Sequence, residues 1–335
     1  MKKFRWSTSF SAANGAYLKL AETDVNGILN CEFPSIQRNW TKALDERTIN
    51  GRIRKTTSPE TASKADNLPT KEPKRRPGEL LPGGVKDIET LINEGIDPIH
   101  AVYVFMQNLT SQFAEVVAQL PEMKKWAQVV GKAEDKYMPA GPPMSPLTGS
   151  YFWMWALYDL RIGTSTDTMA HCQIAANDVI QMNSHQLDVA KKLERSRMGI
   201  YEYTGTDGPH VRLKELITDS HCTCHCPAGY VGNKGELWYV RLLPPLEPEH
   251  AIYWVAMTTP YILINASKAD GITFLKRAMV QFEGQNEAAR LYYLMKTGSE
   301  PNYWNEFVFK AYHHHQQDAV FLTGIPDLES SLPHA

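Results

Sequence analysis

With 335 residues, 43% of them hydrophobic and 21% charged, the chain has a soluble globular composition and ample capacity for a buried core. A net charge of -2 supplies no global field toward nucleic acid or a membrane, so any such partner must be sought in local charge. No apolar run approaches the roughly 20 residues of a spanning helix, and Met1-Lys2-Lys3-Phe4-Arg5 leads into a polar segment rather than a signal-peptide core. The expectation is a cytoplasmic protein with no membrane partner. An odd count of five cysteines agrees, because a disulfide framework favours even numbers.

Taken in order, residues 1–84 read as an N-terminal arm and a polar, disordered linker. Few large apolar side chains occur after Thr41, so ordering this stretch gains little burial against backbone entropy. Its basic groups, Arg52-Ile53-Arg54-Lys55 and Lys74-Arg75-Arg76, suit contact with phosphate or an acidic partner. A solvated linker is the plainer reading.

Residues 85–197 read as an α-helical domain. Asp97-Pro98 supplies a capping acid and a first-position proline, and Ala101, Phe105, Leu109 and Phe113 follow at helical spacing. Pro121 opens a helix carrying Met123, Trp126 and Val130, and the proline-rich stretch Pro139–Pro146 breaks the chain. Tyr151-Phe152-Trp153-Met154-Trp155-Ala156-Leu157-Tyr158 is apolar all round, which predicts a central buried helix. Asp159 and Arg161 beyond it would edge a pocket or form a local ion pair. Thr164 to Asp167 has the spacing of an N-terminal cap. The helix after it holds His171-Cys172, and a last helix spans about Ser184 to Arg197.

Near Met198 the period changes from 3.6 to 2, and residues 198–268 read as a small β domain. Turn chemistry at Gly205–Pro209, Pro227-Ala228-Gly229 and Gly232–Gly235 separates short runs rich in aromatic and branched residues. Residues 269–335 read as C-terminal helices packing back on the helical domain, the last running from Asn302 through His313-His314-His315. The fold class is therefore α+β: mainly helical, with a small antiparallel barrel-like or sandwich unit inserted before the C-terminal helices.

The stretch His221-Cys222-Thr223-Cys224-His225-Cys226 concentrates three of the five cysteines and two of the eleven histidines. On a strand the three thiols share one face, with neighbours about 6.7 Å apart. Two sulfurs on one zinc sit only about 3.8 Å apart, given zinc–sulfur bonds near 2.3 Å. A regular strand therefore cannot offer all three thiolates to one ion. Packed thiols facing a barrel core are the better reading. The sharper one is a zinc site that recruits His314 and Asp318, four apart on a helix, to Cys222, Cys224, Cys226 and His225. Thiol redox chemistry is a third reading.

Phosphate-loop, dinucleotide-binding, H-E-x-x-H and G-x-S-x-G motifs are absent from the sequence. The leading functional expectation is a binding or scaffold protein without catalytic activity, meeting a protein partner or a second copy of itself. The alternatives are a zinc-dependent protein, structural or hydrolytic, and nucleic-acid contact through the basic arm.

Overall fold

The computed structural model describes residues 86–119, 124–139, 145–161, 167–175, 177, 182–246, 252–282, 286–300 and 302–326. The arm and linker over 1–84 lie outside the described residues, as do the helix start at Pro121, most of the proline-rich break and the cap at Thr164. No helix among the described residues is long and apolar enough to cross a membrane.

The helical part begins with α1 (Ile88–Asn93), whose N-cap Asp87 accepts the Thr90 amide at 2.7 Å. In α2 (Pro98–Gln119) the proline takes the first position, and Asp97 accepts the amides of Ile99 and His100 at 3.0 and 3.1 Å. One face of α2 buries Val102, Phe105, Leu109 and Phe113. Next come α3 (Lys124–Tyr137) and α4 (Gly149–Met154), the latter capped by Thr148. The α4 helix passes directly into a single π-type turn, Trp155–Asp159. All five residues of that turn are buried, as an all-round apolar helix requires. Two further helices follow among the described residues, α5 (Met169–Ala175) and α6 (Ser184–Arg195), α6 opening on a capping box of Asn183 and Gln186.

Five strands then close on themselves: β1 (Arg197–Asp207), β2 (His210–Glu215), β3 (His221–His225), β4 (Leu237–Leu243) and β5 (Trp254–Ala256). Antiparallel pairing joins β1 to β2, β2 to β3, β5 to β4 and β4 back to β1. The remaining seam, β3 to β5, is parallel, with Cys224 opposite Trp254. The unit is thus a closed barrel and not a sandwich, and one of its seams departs from the expected antiparallel pattern.

The far edge of β4 is shared, because Leu237–Tyr239 also pair with β6 (Tyr261–Ile264). After α7 (Lys268–Met279), α8 (Glu287–Thr297) and α9 (Tyr303–Ala311) the chain returns to that sheet. There β7 (Tyr312–His315) and β8 (Val320–Thr323) form a hairpin, and β8 runs parallel to β6. This corrects the expectation of a helix through His313-His314-His315. The stripe of Trp304, Val308 and Ala311 does lie on a helix and is buried, but that helix stops at Ala311. The histidines lie on an edge strand, and a helix continuing that stripe would have turned His315 into the core, whereas all three are exposed.

Alternation along β1 and β4 builds two cores at once. Tyr201, Tyr203, Trp238, Val240 and Leu242 fill the barrel with Val211, Leu213, Cys222, Cys224 and Ala256. Met198, Ile200, Leu237, Tyr239 and Leu243 face the other way, into the core shared with Phe274, Leu291 and Trp304 of the C-terminal helices. Every residue of β4 is consequently buried. Helices cover the β1–β4 side of the barrel. The β2–β3 side keeps its outward residues exposed or half-exposed.

Candidate functional site

The Cys/His segment is β3, and the strand geometry sorts its residues by type. Cys222 and Cys224 point into the barrel and are buried among Val211, Leu213 and Trp238. Burial pushes the Cys222 thiol up to about 11 and drives Cys224 well above the usual thiol value. Cys226, just past the strand, is half-buried. Burial raises its thiol to about 11 against the opposing backbone amides of Gly229, Ala228 and Tyr230. Burial thus favours the protonated form of all three thiols. Cys172 on α5 is also buried, whereas His171 points outward to Asp167 at 3.4 Å, so the adjacent pair shares no site.

The C-terminal hairpin approaches this end of the barrel without assembling the proposed ligand set. Phe321 of β8 packs edge-on against Tyr230, ring centres 6.0 Å apart, and Asp318 is near enough to raise the Cys226 thiol. His314, however, stacks flat on Phe321 at 4.4 Å, and its Nδ1 meets that of His313 at 2.6 Å. His225 faces away from all of them. Among the described residues, no group of three His, Cys, Asp or Glu side chains converges where one metal ion could be held.

The outward residues of β2 and β3 form a continuous polar face. On β2 these are His210, Arg212 and Lys214; on β3 they are His221, Thr223 and His225. Arg212 stands opposite Thr223, and Lys214 opposite His221. β1 bulges between Tyr203 and Gly205, and Lys234 of the β3–β4 loop lies beside Gly205. Gly205 has φ 127°, and a Cβ there would lie 3.2 Å from Lys234 Cε and 3.5 Å from Arg212 Nη2. Glycine at the bulge therefore accommodates both the backbone and the two cationic side chains. Lys214 carries an exposed ion pair with Asp219 at 2.9 Å, a contact of little energetic weight.

At the end of this face four rings gather. His210 stacks on Tyr253, just before β5, with centroids 4.1 Å apart and planes 28° apart. His225 lies edge-on to His210, and its Nε2 is 3.2 Å from Nδ1 of His100 in the first turn of α2. Burial lowers His225 below the usual imidazole value; His100 and His210 act in the same direction, and Asp97 opposes them.

A second centre, which the sequence reading did not assemble, lies between barrel and helices. Arg241, in the middle of β4, donates to Asp159 at the end of the π-type turn and to Ser196 O and Oγ at 3.0 Å. Lys296 of α8 stands 3.6 Å from the second Asp159 oxygen and donates to the backbone oxygens of Glu194 and Ser196. All three side chains are at most 5% exposed. Burial, opposed by Asp159, pulls Lys296 down to about 8. The adjoining cavity, lined by Tyr151, Asp159, Tyr239, Lys296, Thr297 and Trp304, has room for about one water molecule. It is far smaller than the roughly 300 Å³ of an ordinary ligand pocket. These charges therefore tie α4, α6, α8 and β4 together. Asp159 thus edges this small cavity, one of the two places expected for it, and its charged partners there are Arg241 and Lys296.

Compared with known proteins, the chain matches no family model, no curated protein and no solved structure.

Proposed function

We propose that this chain is a binding protein that receives an extended polyanion across the outer face of β2 and β3. The carrying observation is the register. Along β2 every outward side chain is basic or an imidazole, and β3 adds two histidines and a threonine hydroxyl beside them. Outward residues recur about every 6.7 Å along a strand, a repeat comparable with the reach of one unit of an extended charged polymer. Helices cover the opposite side of the barrel, so this face is where its charge meets solvent. The net charge of -2 does not oppose the reading, because a ligand at contact distance responds to local charge within about 10 Å at ordinary salt.

Fluorescence anisotropy of a labelled single-stranded oligonucleotide and a labelled heparin fragment, titrated with the full chain, tests it. Affinity for both should fall steeply as salt rises from about 50 to about 200 mM. The variant Arg212→Ala/Lys214→Ala should bind weakly and reduce the salt slope by about 2. Affinity indifferent to salt would overturn the reading. So would unchanged binding by the double variant, which would assign the charge contacts to the basic groups at 52–55 and 74–76.

A further inference from the structure

We infer that the polyanion is a single-stranded nucleic acid, one base of which stacks on the His210–Tyr253 pair. This rests on the reading of the β2–β3 face above and adds a second kind of contact to it. Charge alone would recognise any polyanion, whereas a flat aromatic platform at the end of a basic row favours a ligand that carries its own π-face. The His210 and Tyr253 rings are stacked 4.1 Å apart, and neither residue is fully buried. Ile252, directly before the tyrosine, is 72% exposed, so apolar surface continues past the platform instead of closing over it.

Arg212 and Lys214 follow His210 along β2 at strand spacing, which puts the cations to one side of the platform, where a backbone would run. Every nucleobase has a π-face, and alternating cations with stacking rings is how sequence-tolerant single-strand binding is built.

Two labelled ligands of equal length and charge separate this inference from the reading beneath it: an oligothymidylate and the corresponding abasic sugar–phosphate chain. The full protein should bind the oligothymidylate more tightly at the same salt. Tyr253→Ala should lose at least about tenfold on the oligothymidylate, as one stacked base implies, and clearly less on the abasic chain. Tyr253→Trp should hold or improve the affinity for bases, which a merely structural tyrosine would not predict. Equal affinity for the two ligands, or equal losses on both in Tyr253→Ala, would overturn the stacking and leave the polyanion face standing. No binding of either ligand would overturn the face itself.

Discussion

Nδ1 of His100 lies 3.2 Å from Nε2 of His225, linking the first turn of α2 to the last residue of β3. The rings meet nearly edge-on at 85°, so a single hydrogen between two nitrogens joins the helices to the exposed side of the barrel. Such a bond needs one neutral imidazole.

This contact makes stability depend on pH with a definite sign. His225 has a lower value in the folded chain than its ordinary 6.5, because of burial, His100 and His210, with Asp97 opposing. The unfolded chain therefore binds more protons below that value, and the contribution is complete above about pH 6.5 and lost as pH falls. Urea unfolding at about pH 7.5 and about pH 5 should show a smaller drop for His225→Gln than for the parent chain. Identical drops would rule out the pair as the source.

The buried ionic seam should be intolerant of losing one member. Asp159→Asn leaves Arg241 and Lys296 without their carboxylate in an interior that solvates neither, at a cost of about 3–5 kcal/mol. Replacing the set together, as Asp159→Leu/Arg241→Met/Lys296→Met, should recover much of that loss, since no unpaired charge then remains. Equilibrium urea unfolding measures both. A single variant within about 0.5 kcal/mol of the parent would show the seam to be solvated.

The barrel thiols should resist alkylation. Cys222 and Cys224 are buried with their thiols held protonated, so iodoacetamide should label them only as fast as the barrel opens. Peptide mapping by mass spectrometry reads each site separately. Cys224→Ser should cost more than Cys224→Ala, because a hydroxyl without a partner in that core costs about 1–3 kcal/mol. Rapid native labelling of either thiol would contradict the packing.

Gly205 is the backbone position most exposed to substitution. With φ at 127° and two cationic side chains above it, Gly205→Ala should destabilise by about 1–3 kcal/mol. It should also weaken polyanion binding by displacing Arg212 and Lys234. A variant with parent stability and parent affinity would remove the bulge from the description of the face.

Much of this architecture follows from local pattern. The buried helix at 151–158, the proline-initiated α2 and the period change near Met198 are nearest-neighbour signals, and each lies where the pattern places it. The same alternation puts the cysteines inside the barrel. What local pattern lacks is pairing across distance. The parallel seam of β3 with β5 and the return of β8 to β6 depend on chain closure and leave no mark in either segment. At the end of α9, a four-residue strand is too short to separate from a helical continuation of Trp304, Val308 and Ala311. Arg241 did carry a readable signal, a lone charge inside Leu237-Trp238-Tyr239-Val240-Arg241-Leu242-Leu243 that needs a buried partner. Its partner Asp159 closes an equally apolar stretch, but only the fold joins the two.

The shared edge of β4 also sets an order of assembly. All five barrel strands have been synthesised once Ala256 is in place, so the barrel can close while the chain is still growing. The neighbouring edge of β6 waits for β8, which arrives only after α7, α8 and α9. Until then a short row of backbone amides and carbonyls on Tyr261–Ile264 has no strand to take up. Chain order thus leaves β6 without its β8 neighbour for the time taken to make α7, α8 and α9, an interval in which another chain's strand could pair with it.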